Sequence, residues 1–519
     1  MQIPADLKLG FWDFAQANPQ ALAVVEHDGA EVLAGDLLAG CNQLVHALRA
    51  QGLTKGDCVA FVLPNSAPVL EVFMAAAQAG WFVTPINSHL AVGEMAYILE
   101  DCGAKAVFGS ARYAERLLPA VERSGLALER CFSVGAPVPG FTDFAELKAG
   151  HSSERPSDRA AGSPMTYTSG TTGRPKGVRR AVFDAPPEAV STQQALFLSL
   201  FGMLPGSQHV HLNVAPLYHT AVINFASNHL HLGHTVVLMD KWTPQGMLER
   251  IERHRVTTTH MVPTMFVRLL KMDPDERLGF DCSSVSHMIH GAAPCPVDVK
   301  QRMLEWWGES VYEYYAASEG GGTLVTPQQW LEKPGTVGPP WPISEIQIRD
   351  DEGELVSSGE PGTVWIAMGD HKFKYHGDEV KTQEAWRDRF FTVGDAGYLD
   401  DEGWLYLCDR KADMIISGGV NIYPAEIEGV LLQHDQVMDA AVFGIPDEDW
   451  GECVHAVLQL REGVSDAEAS VRAFCADQLA RYKQPKSYDV MDELPRDPNG
   501  KLYKRRLRDP FWAGKDRAI

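Results

Sequence analysis

No apolar run in the sequence approaches the ~18 residues that a membrane-spanning helix needs; the richest stretch, Val72 to Val83, is broken by Gln78 and Gly80. Membrane insertion is therefore not expected. Positive charge is scarce as well: 46 Lys and Arg against 68 Asp and Glu leave a net charge of −22. Nucleic acid and anionic membrane surfaces are repelled by such a chain, and a phosphate-bearing ligand needs a locally built site. The nine cysteines include no C-x-x-C pair, which argues for reduced structural thiols over a disulfide framework or a zinc site. Low-complexity bias is missing too, since Gly 46 and Pro 32 are spread through a chain that is 45% apolar and 22% charged, a globular composition. The opening MQIPADLKLG has neither a basic n-region nor an apolar h-region, and the closing GKDRAI has no sorting tail, so a cytoplasmic protein is expected. At 519 residues the chain is too long for one core and should divide into domains.

What is present reads as α/β. From Cys58, CVAFVLPNS, an apolar-periodic stretch over Ala67 to Ala79, WFVTPIN, a further periodic stretch and AKAVFGS give strand, helix, strand, helix, strand. The pattern returns after residue 200 with HVHLNVAP, a helix around Ala221 to Leu232, HTVVLMD, a helix from Gln245, VTTTHMVP, a helix from Thr264, VSHMIHGAA and SVYEYYAAS. Such alternation implies parallel sheets covered by helices, here two α/β subdomains. After Trp330 short strands punctuated by Gly, Pro and Asp imply an antiparallel β region, and beyond Asp409 there is room for a small α/β domain. The expected boundaries are 1–408, a connector at 409–413, and 414–519.

The densest chemistry lies in YTSGTTGRPKGV, Tyr167 to Val178. Glycines let backbone N–H groups approach a polyphosphate, Ser and Thr add hydroxyl donors, and Lys176 adds a point charge. The spacing is not that of a Walker A loop. The segment resembles the signature loop of the AMP-forming acyl-CoA synthetase superfamily, which also contains firefly luciferase and the adenylation domains of peptide synthetases. Later motifs follow in that family's order over essentially the whole chain. The resemblance implies a large N-terminal domain of two α/β subdomains plus a β region, with a small mobile α/β C-terminal domain, and it implies ATP, Mg²⁺ and coenzyme A as cofactor and substrates.

Carried over motif by motif, Thr168, Ser169, Gly170, Thr171, Thr172 and Lys176 would hold the ATP phosphates. YYAASEG, Tyr314 to Gly320, is similar to the family's Y-G-x-T-E block with Ala316 for Gly and Ser318 for Thr; Tyr315 would face adenine, Ser318 phosphate, and Glu319 Mg²⁺. Gly291, Ala292 and Ala293 resemble the small-residue turn beside the nucleotide, and Asp395 in TVGD the ribose-binding aspartate. In DRKADMIISGGVNIYPAEIE, Arg410 would contact the nucleotide, Ala412 stands at the hinge, where many relatives carry Lys or Asp, and Gly418 and Gly419 would line the phosphopantetheine channel. Lys501 in LPRDPNGKLYKRRL matches the catalytic lysine, and His219 in APLYHT the position beside the acyl pocket.

The reaction implied is ligation of a carboxylic acid to coenzyme A through acyl-AMP. His219, Val222, Phe225, Met261, Gly320, Gly321 and Gly322 are the expected acyl pocket. The three glycines are read as leaving volume, and no Lys or Arg lies in these segments to pair with a second carboxylate, so a medium- or long-chain fatty acid or an alicyclic or steroid side-chain acid is expected. The alternatives are another acceptor, a carrier protein or oxygen as in luciferase, and a non-catalytic nucleotide-binding regulator. Histidines 209, 211, 219, 229, 231 and 234 include two H-x-H pairs, but an alternating strand and a helix end would not converge them on a metal. The partners are small molecules, with no nucleic acid; oligomeric state stays open, a homodimer included.

Overall fold

Strand Cys58–Val62 is buried at every position, as a parallel strand covered on both faces must be. Helix Ala67–Ala79 follows, with Pro68 in its first turn and a stop at Gly80, φ 76°, the left-handed cap that favours glycine. The computed structural model describes residues 9–168, 175–180, 185–369, 372–410, 413–418, 420–464, 467–497 and 500–513. By contact the chain forms two units, Met1–His260 with Phe280–His287 and Lys372–Glu384, and Met261–Gly279 with Met288–His371 and Ala385–Ile519.

In the first unit, a six-stranded sheet runs in the order Thr142–Asp143, Cys131–Ser133, Ala104–Gly109, Cys58–Val62, Phe82–Pro85, Ser163–Pro164, each neighbouring pair parallel. A second set places Val210–Asn213 between Thr235–Leu238 and Thr258–Met261, with Leu22–Val25 beyond Thr235–Leu238, all parallel. An antiparallel edge strand, Glu31–Leu33, pairs with Leu22–Val25. A small antiparallel sheet joins Thr166–Thr168, Lys176–Arg180 and Phe373–Tyr375. Phe373–Tyr375 thus departs from the expected β region: its backbone completes the edge of the hydroxyl-rich hairpin.

Histidine packing explains the H-x-H pairs. His234 Nε2 lies 3.1 Å from the Ser207 carbonyl, which can only accept, so Nε2 carries the proton and Nδ1 accepts from His229 Nδ1 at 2.9 Å. His229 Nε2 then accepts from Thr258 Oγ1 at 3.2 Å, and that hydroxyl accepts from His211 Nδ1 at 2.7 Å. One carbonyl therefore sets the direction of the whole chain of neutral imidazoles, and His211 stacks on His229 at 4.3 Å. Among the described residues no group of three or more His, Cys, Asp or Glu could hold a metal ion.

The second unit contains strand Val311–Ala317, parallel to His287–His290 and antiparallel to Gly320–Val325. Its antiparallel region pairs Gly362–Met368 with Ser344–Arg349 and Asp395–Leu399, and Asp395–Leu399 with Leu405–Arg410. Toward the C-terminus a long hairpin, Val437–Asp447 with Gly451–Leu460, is joined by Ser487–Val490 and by Ile415–Ser417. Helices Pro424–Gln433 and Glu468–Gln478 cover it, closing a core of Ile415, Ile427, Val442, Ala456, Val471 and Cys475. The large N-terminal and small C-terminal α/β architecture is thus as expected. The boundary at 409–413 falls inside the second unit, and Ala412 lies outside the described residues.

Candidate active site

In the first unit the strands on either side of the hydroxyl-rich residues, Thr166–Thr168 and Lys176–Arg180, pair antiparallel with Lys176 opposite Thr168. Ser169, Gly170, Thr171 and Thr172 lie outside the described residues. Lys176 Nζ stands 4.7 Å from the Tyr375 ring centroid, an aromatic neighbour that sequence alone gave no reason to choose. Gly177 is closely packed: a Cβ there would meet Met165 Cε at 2.7 Å and Tyr167 Cζ at 3.0 Å. His219 caps helix Thr220–His231 without a side-chain capping bond and lies against Tyr218, ring centroids 4.5 Å apart.

In the second unit a run of contacts joins motifs far apart in sequence. Tyr315 donates its hydroxyl to Asp395 Oδ2 at 2.7 Å, and Asp395 is paired in backbone register with Arg410. Gly291 leans on the preceding tyrosine: a Cβ would come within 2.8 Å of the Tyr314 carbonyl oxygen, and the Gly291 N–H points to the Met261 carbonyl at 3.4 Å. Ala292 has φ 69°, a left-handed conformation that costs a residue with a side chain about 1–3 kcal/mol and marks sites held by their surroundings. Just past Met261, Val262 and Thr264 receive Gly500, φ 78°, where a Cβ would collide with Thr264 Oγ1. The turn before Lys501 thus packs on the segment that follows Met261, whose carbonyl accepts the Gly291 N–H.

That turn is firmly built. Lys501 donates its backbone N–H to Asp497 Oδ1 at 2.8 Å, while Arg496 bonds the Gly500 carbonyl at 2.6 Å and forks onto both oxygens of Asp439 at 2.6 and 2.8 Å. Sequence reasoning missed Arg496 and Asp439. Arg496 stood in the LPRDPNGK string, but its partner lies across the domain and left no local signal. Ser318 and Glu319 form the bend before strand Gly320–Val325, next to a register shift at Ala316 and Ala317, the kind of bulge that re-aims neighbouring side chains. Gly418 has φ 58° and lies under Trp450, which leaves no room for a Cβ and whose carbonyl accepts the Gly418 N–H at 2.8 Å; Gly419 lies outside the described residues.

Two of the glycines expected in the acyl pocket are tightly packed on the side a Cβ would take. A Cβ at Gly322 would collide with the Tyr315 carbonyl oxygen, and one at Gly321, φ 69°, would run into Ile366 Cγ2. At these two positions glycine answers to backbone geometry and close packing. Val222 and Phe225 are buried, with Phe225 ringed by Phe197, Phe201, His211 and His260 at centroid distances of 4.7 to 6.2 Å. Met261 is buried.

The AMP-binding enzyme family model matches residues 11–374, and the AMP-binding enzyme C-terminal domain matches residues 426–501. The chain is 31% identical over 517 residues to the fatty acid–[acyl-carrier-protein] ligase ScoC of Streptomyces coeruleorubidus, covering 97% of this chain and 96% of that protein. It is 33% identical over 511 residues to the feruloyl-CoA synthase of an Amycolatopsis species, covering 97% and 99%. The o-succinylbenzoate CoA synthetase MenE of Bacillus subtilis, solved with its acyl-adenylate intermediate, superposes with a TM-score of 0.80 at 29% identity, covering 96% of this chain and 98% of that one. The same synthetase has been solved with ATP and magnesium ion.

Proposed function

We infer, from the premise that the chain belongs to the AMP-binding enzyme family and is an acid–thiol ligase of the AMP-forming acyl-CoA synthetase superfamily, that its acid is hydrophobic and its acceptor coenzyme A. The observation that carries the site reading is the run of contacts from the Lys501 turn through Val262, Met261 and Gly291 to Tyr315 and Asp395. In this reading Tyr315 and the Gly291–Ala293 turn flank adenine, and Asp395, steadied by the Tyr315 hydroxyl, accepts from the ribose. Arg410, the cross-strand neighbour of Asp395, contacts the nucleotide. Thr168 to Thr172 and Lys176 hold the outer phosphates. Ser318 offers its hydroxyl to phosphate, and Glu319 a hard carboxylate oxygen that fits Mg²⁺, which takes one or two carboxylates beside phosphate oxygens and water and when bound offsets charge on the polyphosphate.

The substrate carboxylate attacks the α-phosphorus, a new P–O bond forms, and pyrophosphate leaves with its charge met by Lys501 and Lys176. The small domain, taken as 414–519 and hinged at 409–413 around Ala412, then turns away so that Gly418 and Gly419 admit the thiol. Sulfur bonds to the acyl carbon, AMP departs, and the thioester is released. His219 is assigned to the mouth of the acyl pocket. With Gly321 and Gly322 accounted for by packing, the hydrophobic reading rests on buried Val222, Phe225 and Met261 and on the lack of Lys or Arg in these segments. One relative is named for a carrier-protein acceptor, so a holo acyl carrier protein is the second reading.

The test is a panel of acetate, octanoate, palmitate and a steroid side-chain acid with coenzyme A or holo carrier protein. Each buried CH₂ adds ~0.8 kcal/mol, so kcat/KM should climb with apolar bulk; preference for acetate would overturn the hydrophobic reading, and carrier-only turnover the choice of acceptor.

A further inference from the structure

Beside the Gly291–Ala293 turn lies a buried polar cluster that the proposed chemistry leaves unused. Lys300, on helix Val297–Trp307, is 0% exposed, and its Nζ donates to Glu313 Oε2 at 2.6 Å. Glu313, on strand Val311–Ala317, is buried too, and His290 Nε2 stands 3.6 Å from the same carboxylate oxygen. The Trp330 ring closes over the ammonium at 4.9 Å, and Phe266 sets its edge to His290 at 5.0 Å. Burial lowers the Lys300 ammonium and raises the Glu313 carboxyl. An ion pair in such a place stabilises a core no better than apolar side chains of equal volume, because desolvation consumes the Coulombic gain.

Its placement is more informative. His290 directly precedes Gly291, and Glu313 stands two residues before Tyr315. Helix Val297–Trp307 follows the same turn, so the three groups clamp the ends of two parallel strands to the helix that leaves the loop. Between them Ala292 holds φ 69°, a conformation that persists only where the surroundings over-determine it.

We propose that Lys300, Glu313 and His290 form a positioning triad that fixes the Gly291–Ala293 turn and Tyr315 for the nucleotide. The proposal rests on the assignment of that turn to ATP made above. Lys300→Met alone would strand a buried carboxyl, so the informative variant is the double K300M/E313Q, which removes both charges at similar volume. The full chain is titrated with ATP and excess Mg²⁺ by calorimetry, with melting temperature recorded, beside Asp395→Ala as reference for the nucleotide site. The double variant should melt within a few degrees of the parent yet bind ATP about tenfold or more weakly, since the turn is then free to leave its strained conformation. Parent-like ATP affinity in the double variant, with Asp395→Ala impaired, overturns the triad alone. Parent-like affinity in Asp395→Ala overturns the nucleotide assignment and the triad with it. Should the double variant not fold, His290→Asn, which keeps the ion pair, carries the test with the same outcomes.

Discussion

Lowering the pH from 7.5 to 5.5 should strip most of the stability from the first unit. His211, His229, His231, His234 and His260 are each at most 3% exposed. Burial pushes His211, His231 and His260 down to about 3 and His234 to about 4, and holds His229 well below its ordinary value; neighbouring imidazoles add to the shift at His211, His229 and His234. The hydrogen bonds demand the neutral form as well, since His231 Nδ1 accepts the Phe11 N–H at 3.0 Å. In the unfolded chain each imidazole titrates near ~6.5. Between the folded and unfolded values the unfolded state binds more protons, so this stability is complete above ~6.5 and is lost as pH falls toward the folded values. One pH unit below ~6.5 each histidine costs slightly over 1 kcal/mol, about 7 kcal/mol for the five, against the ~5–15 kcal/mol that holds a typical domain. Urea midpoints and melting temperatures measured at pH 7.5, 6.5 and 5.5 should fall together, with these five histidines contributing a pH slope approaching five protons, to which His209 and His287, also lowered by burial, add. His234→Gln, whose amide can still donate to Ser207 and accept from His229, should remove about one proton from that slope. Stability flat between pH 7.5 and 5.5 would refute the reasoning.

Gly500→Ala forces a side chain into a φ of 78° and against Thr264, so acyl-AMP formation should drop by an order of magnitude or more while supplied acyl-AMP is still converted to thioester; equal loss of both steps would contradict the placement of the Lys501 turn. Arg496→Ala leaves Asp439 without its bidentate partner at a site where the two side chains are 16% and 12% exposed, which should cost ~3–5 kcal/mol in urea unfolding, and Arg496→Lys should not restore it because one ammonium cannot fork. Gly322→Ala, aimed at the Tyr315 carbonyl, should weaken ATP binding measured by calorimetry, whereas an unaltered affinity would separate that packing from the nucleotide site.

Much of the fold was legible because periodicity and burial coincide. Helix Ala67–Ala79 and strand Thr258–Met261 lie where the apolar pattern and its Gly and Pro punctuation put them. Phe373–Tyr375 was not singled out, because its partner strand Lys176–Arg180 lies about two hundred residues away, and short strands carry no record of which sheet they join. Motif strings singled out Lys176 in the first unit and Tyr315, Asp395 and Lys501 in the second, because each lies in a short, locally readable string. Tyr375, Asp439, Arg496, Lys300 and Glu313, by contrast, are ordinary residues whose contacts arise only in the tertiary structure. At Gly322 composition reports a missing side chain but not that the Tyr315 carbonyl occupies the place a Cβ would take.

The most direct measurement is a single-turnover reaction of the full chain with ATP, Mg²⁺ and octanoate, without and then with coenzyme A, following pyrophosphate, enzyme-bound acyl-AMP and thioester separately in the parent and in Lys501→Ala. The parent should release one equivalent of pyrophosphate and hold acyl-AMP until coenzyme A is added, when AMP and octanoyl-CoA appear together; Lys501→Ala should fail in the first phase yet convert supplied octanoyl-AMP. Thioester formation with no acyl-AMP intermediate, or a Lys501→Ala variant that releases pyrophosphate at the parent rate, would contradict the two-step assignment.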